Sequence, residues 1–345
     1  MPVAAVPHAP SRTTPRRGAP VVVFLTGLVI LAALCVASLA IGSASIPLAD
    51  LWRAATDPQD PITQATLLGL RVPRTVLGVV VGVALGVSGA LMQALTRNPL
   101  ADPGILGVNA GAGLAVALGV AFLGVTRIEQ YLPLAFVGAF AAASLVYVLA
   151  TLGERPPSPL RMTLVGVAAS AVFLGVTQTL ALLDVETFDC MRFWGAGTLA
   201  DRPGGTIEAV APWIAFGLAL ALISGRALNA LALGDDVARS FGARVGLVRG
   251  GVAVSITLLC GAATAAVGPI GFIGLMVPHL VRPFTGPDQR RIIVFSAVVA
   301  PILLLGSDVL GRVMIASELQ VGVVTALVGA PILALLARNP RMAHL

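Results

Sequence analysis

From Pro20 onward the sequence is a succession of apolar runs of 15 to 23 residues, separated by short breaks that carry Pro, Gly, Asn or Arg. A helix of about 20 apolar residues matches the hydrocarbon thickness of a bilayer, and backbone in lipid must satisfy its own hydrogen bonds. Such a chain is constrained to a helical membrane bundle. Composition closes off the soluble alternative. With 57% hydrophobic residues, 11% charged residues and a mean hydropathy of +0.95, the 345 residues hold too little polar surface to cover one or two soluble domains.

The fold class expected is an all-α polytopic membrane protein with about ten transmembrane helices. The spans fall at about 20–41, 74–95, 103–124, 131–152, 161–183, 207–225, 246–267, 270–284, 291–309 and 321–337. The first ends in small residues, Ser38 and Ala40, that resemble a cleavage site, but it exceeds the apolar core of a signal peptide, about 7–15 residues, and is read as a retained helix. Residues 1–19, rich in Pro, Arg and Ala, read as a disordered basic cytoplasmic tail, and 20–345 as one transmembrane domain. The eighth span is short and carries Pro269, Pro278 and Pro283, which predicts a broken helix packed within protein.

All 22 basic residues are Arg. With the N-terminus inside, fifteen of them (12, 16, 17, 97, 155, 161, 226, 239, 244, 249, 282, 290, 291, 338, 341) face the cytoplasm and seven (53, 71, 74, 127, 192, 202, 312) face outward, which favours both termini inside. Because they are scattered singly at helix ends, they read as membrane anchors and not as a nucleic-acid stripe. The absence of Lys excludes a Walker-type phosphate loop, whose lysine reaches the terminal phosphates, so ATP chemistry of that kind must come from a partner. Cys35, Cys190 and Cys260 show no metal-ligand spacing, and no cofactor is expected.

Arg71 to Gly107 is the most informative single stretch: a charged start, a helix with Gly78, Gly82 and Gly86 on one face, a polar Asn-Pro break and a second Pro-Gly start. Glycines four apart let a neighbouring backbone approach closely, while Gln93 and Asn98 sit where the apolar run ends and polar groups need a partner or a path. Ala227 to Gly246 is too polar to span. Leu228, Leu231, Ala238 and Phe241 form an apolar strip at helical spacing, with Gly234 and Gly242 allowing turns, and such a segment lies on the membrane or enters a partner's groove. His279 beside Pro278 reads as a helix-end residue, since no Cys or carboxylate spacing supports a metal. Asp308 and Arg312, four apart, pair on one face, and Arg312 with Arg71 and Arg74 forms an outer basic rim suited to an acidic partner. A six-residue echo, Thr163 to Ala168 against Ala326 to Pro331, points to an inverted repeat of the second to fifth and seventh to tenth spans.

These segments, together with QALTRNPLADPGILG (93–107), FWGAGTL (193–199), LGDDVARSFG (233–242), GFIGLMVPHLVR (271–282) and VGVVTALVGAP (321–331), resemble the FecCD family, the permease subunits of ABC importers for ferric siderophores, haem and cobalamin. The resemblance covers nearly the whole chain after the tail. It implies a multi-pass protein of the bacterial cytoplasmic membrane, paired with a second permease subunit, identical or paralogous, around a path at their interface. It also implies cytoplasmic ATP-binding subunits and an extracytoplasmic substrate-binding protein. By position, Arg71, Arg74 and Arg312 match arginines that meet carboxylates of the binding protein. Asn98 and Leu100 match the inner gate turn, and Leu233 to Gly242, with Gly234, Asp235, Ala238 and Phe241, match the loop that docks on the ATPase. Gln320 departs from the family pattern, standing where Pro usually precedes the last helix. The expected cargo is a ferric siderophore, with cobalamin or haem as alternatives. A proton-coupled carrier would need charge at membrane depth, which is scarce here, and an intramembrane enzyme would need a convergent nucleophile or metal set, which is not found.

Overall fold

A computed structural model describes residues 19–42, 46–47, 50–53, 61–125, 127–152, 158–315 and 318–337. The basic tail expected at 1–19 lies outside them, apart from Ala19. Besides a helical turn at 50–53 and a 3-10 turn at Pro103–Leu106, twelve helices are present among the described residues. They are α1 (Ala19–Ala40), α2 (Pro61–Thr96), α3 (Val108–Leu123), α4 (Ile128–Thr151), α5 (Pro159–Leu183), α6 (Val185–Trp194), α7 (Thr206–Ala232), α8 (Asp235–Ser240), α9 (Val245–Val267), α10 (Ile273–Thr285), α11 (Gln289–Met314) and α12 (Val321–Ala337).

Seven of these, α1, α2, α4, α5, α7, α9 and α11, are long and apolar enough to cross a membrane, and α3 and α12 are shorter apolar helices. With the short α10 they occupy the ten stretches anticipated from hydropathy. Three boundaries differ for identifiable reasons. The second helix starts at Pro61, not near 74, because a π-helical stretch, Ala65–Arg71, carries it past Arg71. The third span opens with a 3-10 turn, Pro103–Leu106, whose N-cap Asp102 accepts from the Gly104 amide (2.8 Å), so its α-helix begins only at Val108. The eighth is not broken within its helix. Pro278 and Pro283 lie inside a continuous α10, and the break precedes it at Gly268 to Phe272, where Gly268 (φ 80°) and Phe272 (φ 68°) both take positive φ.

Helices α2 and α9 are mostly buried and form the centre, whereas α1 and α5 leave most of their surface outside. The glycine face of α2 packs on α11. A methyl on Gly82 would lie 2.6 Å from Pro301 Cα, and Gly78 and Gly86 meet Leu305 and Ala300 in the same way. Close backbone approach of this kind is how helices gain packing in lipid, where no hydrophobic drive separates helix from solvent. The sequence echo has a structural counterpart. Gly166 of α5 sits against Ile105 in the turn before α3, and Gly329 of α12 sits against Phe272 in the break before α10. The two glycines thus stand at corresponding places, Gly166 against backbone and Gly329 against the Phe272 side chain.

Candidate functional site: an outer chamber and an inner gate turn

At the outer end one carboxylate organises two arginines, and a third lies beside them. Asp308 accepts from Arg74 (Nη2 to Oδ1, 2.8 Å) and from Arg312, the pairing expected four residues along one helix face. Arg74 Nη1 also donates to Glu318 (2.9 Å). Arg312 Nη1 donates to the carbonyls of Ser38 (2.7 Å) and Ile41 (3.0 Å), and Arg71 Nη1 to those of Leu39 (2.7 Å) and Ala40 (2.9 Å). The last turn of a helix leaves its carbonyls without intrahelical partners and carries negative dipole charge, so the two guanidinium groups cap α1.

This arrangement revises the expectation of a solvated basic rim. Arg71 and Arg312 are buried, each about 6% exposed, and their donors are engaged inside the protein. Only Arg74 reaches the edge, where its side chain is 15% exposed beside Glu318. The signal missed in the sequence was Glu318, whose carboxylate shares Arg74 with Asp308.

Arg74 also lines an outer cavity of about 1200 Å³, with Tyr131, Glu186, Trp194, Arg202 and Glu318. One wall is α6, a helix not anticipated from the sequence although its start is written there. Asp184 caps it, accepting from the Thr187 amide (2.8 Å) and hydroxyl (2.6 Å). Two buried donors of residues that line it, Trp194 Nε1 and Arg202 Nε, have no hydrogen-bond partner among the described residues. Burial lowers the Arg202 guanidinium to about 10, so it remains cationic at neutral pH. Gln320 lines the same cavity, and its carbonyl accepts from Val323 (3.0 Å) while the Leu319 amide donates to Gly311 (2.9 Å), which ties the final outer turn without proline.

At the inner end α2 stops at Arg97, which takes the left-handed conformation (φ 51°). Asn98 and Leu100 are both exposed in the turn that follows, and the Asn98 side chain accepts from the Leu100 amide (2.9 Å). The turn is held from one side by α10: His279 Nε2 lies 2.7 Å from the Pro99 carbonyl, and Gln93 joins Leu275 O (3.0 Å) to Arg282 (3.1 Å). His279 is therefore a tether. Among the described residues no three His, Cys, Asp or Glu side chains converge as a metal site.

The cytoplasmic segment after α7 is shorter than expected, because α7 runs to Ala232 and takes Leu228 and Leu231 with it. The apolar strip is accordingly split. Leu228, Leu231 and Ala238 face inward, while Leu233, Val237 and Phe241 are exposed, Phe241 at 74%. Gly234 (φ 117°) and Gly242 (φ 79°) bracket α8 in conformations that favour glycine. Asp235, at the start of α8, accepts from Arg97 of the turn after α2 and from Arg249 of α9 (3.1 Å).

Residues 30–339 match the model of the FecCD transport family. The chain is 44% identical over 314 residues to the ferric enterobactin transport system permease protein FepD of Escherichia coli (strain K12), covering 91% of this chain and 94% of that one. It is 35% identical to the probable siderophore transport system permease protein YfiZ of Bacillus subtilis (strain 168), over 90% and 93% of the two chains. To the hemin transport system permease protein HmuU of Yersinia pestis it is 34% identical, over 88% and 91%. Among solved structures, a metal-chelate type ABC transporter in an inward-facing conformation superposes with a TM-score of 0.81 at 24% identity, covering 93% of this chain and 99% of that one, which establishes the shared fold. A family match across nearly all of the spanning region, joined to relatives of the same length and a matching helical bundle, leaves one assignment: this multi-pass membrane protein belongs to the FecCD transport family.

Proposed function

We propose that the chain is the permease subunit of an ABC importer and carries a ferric siderophore complex into the cytoplasm by alternating access. The observation that carries this reading is the family match over residues 30–339, joined to relatives named for ferric chelate transport along almost their full length. The outer chamber supports it. About 1200 Å³ lies above the usual 300–1000 Å³ of small-molecule pockets and suits a bulky chelate.

In this reading the ATP is hydrolysed by separate cytoplasmic subunits that dock on Leu233, Gly234, Asp235, Ala238, Phe241 and Gly242, with the exposed Phe241 as the anchor. Asn98 and Leu100 form the inner gate. An extracytoplasmic binding protein docks at the outer mouth, where Arg74 meets it and Arg71 and Arg312 support the surface from behind. A second permease subunit completes the path. The test is growth of a strain deleted for this gene on defined iron sources, with and without the gene restored. Gene-dependent growth on a ferric siderophore is expected. Dependence on haem or cobalamin alone would reassign the cargo, and dependence on none of them would overturn the reading.

A further inference from the structure

Asp235 joins three elements that the sequence keeps far apart. It opens α8, the cytoplasmic helix with the exposed apolar face, and its Oδ1 accepts both from Arg97, 138 residues away at the gate turn, and from Arg249 Nη2 on α9 (3.1 Å), which also lies 3.0 Å from Oδ2. Arg97 also donates to the Leu231 carbonyl at the end of α7. The left-handed backbone of Arg97 is what turns its side chain away from α2 and toward this junction while the chain reverses into Asn98 and Leu100.

The two ion pairs differ in setting, and the difference has a mechanical meaning. Arg249 has a side chain 6% exposed and stays with the protein core, so its contact with Asp235 anchors α8 to α9. Arg97 is 40% exposed, in a shell where water holds an ion pair to roughly 0–1 kcal/mol, so this contact costs little to open and re-form. A weak contact between an anchored cytoplasmic helix and a gate turn does little for folding. It is placed to pass a displacement of α8 to residues 98–100.

We infer that the Arg97–Asp235 contact is the positioning link through which ATPase-driven movement of α8 sets the inner gate turn. The inference rests on the proposed roles of α8 and of Asn98 and Leu100. The turn is tied to α10 by His279 on one side and to α8 by Arg97 on the other, so loss of the second tie leaves it following α10 alone.

The test uses the full transporter, with its ATPase and binding protein, in proteoliposomes, and reads radio-iron chelate moved per ATP hydrolysed. For Arg97→Gln we expect normal membrane insertion, unchanged co-purification of the ATPase, hydrolysis within about twofold of the parent, and transport per ATP lowered at least fivefold, with Arg97→Lys recovering part of the ratio. A purely structural role would lower the amount of complex without moving the ratio. An unchanged ratio in Arg97→Gln overturns the link. Loss of ATPase co-purification would make Arg97 a docking residue and also overturn it, and so would failure to fold, since a contact this exposed should not be needed for folding. A parent complex that moves no chelate overturns the cargo reading as well, whereas a parent that transports and a variant that matches it overturn the link alone.

Discussion

At the scale of single residues, the fate of a charge here is decided by what surrounds it and not by which end of a helix carries it. Arg71, Arg74 and Arg312 look alike in sequence, each near an outer helix end, yet two cap α1 from inside and one reaches the chamber. Removing one member of a buried ion pair strands its partner and costs about 3–5 kcal/mol. Asp308→Asn, which leaves Arg74 and Arg312 short of an anion, should therefore lower thermal stability of the purified chain in detergent by an amount in that range, and Arg312→Glu, which sets two carboxylates together, should prevent accumulation of folded protein. Arg74→Gln, which leaves Asp308 still paired with Arg312, should lower stability less than Asp308→Asn does and should also slow capture of the loaded binding protein, with weaker dependence on salt. If Arg74→Gln unfolds the chain while Asp308→Asn does not, the division of roles is reversed. Glu318 was the residue sequence reading could not supply. Its partnership with Arg74 spans 244 positions, and no local spacing encodes it.

At the scale of elements, the most legible features were those written with local physics. The α2 glycines announced a close helix contact, and the contact with α11 is there. Gly82→Ala should cost about 1–3 kcal/mol, because the added methyl meets the backbone of Pro301, which cannot rotate away. Gly175→Ala on α5, where nothing lies within 4 Å, should be neutral or slightly stabilising in the same thermal assay. Equal losses at both positions would show that packing does not set the difference. The segment after α7 was partly legible. Its turn glycines were placed correctly, but the hydrophobic period could not tell that Leu228 and Leu231 continue α7 and pack inward while Phe241 stays out, because both outcomes give apolar residues at helical spacing. Phe241→Asp should reduce ATPase binding by about 2 kcal/mol or more, seen as ~30-fold weaker co-purification at unchanged membrane level. Helix α6 shows the opposite failure: its Asp184 cap was available in the sequence, but a ten-residue helix with three charged residues falls outside any search for apolar spans.

At the scale of the molecule, hydropathy marked ten stretches that are helical in the structure, seven of them long enough to cross a membrane, because lipid imposes its rules on every span independently. The chamber and the ties that hold the 98–100 turn were not legible in that way, since each is built from several helices brought together by tertiary packing. Asp308 and Asp235 each join segments more than 100 residues apart. The central claim is that this protein is a passive path whose cycle is driven from outside the membrane by ATP. It is tested most directly by chelate uptake into proteoliposomes holding the chain alone, the chain with its ATPase, or the complete set with binding protein, each with ATP or with a proton gradient in its place. The account predicts concentrative radio-iron uptake only for the complete set with ATP inside, and no ATP hydrolysis by the chain alone. Uptake by the chain alone on a proton gradient, or hydrolysis of ATP by the isolated chain, would contradict it.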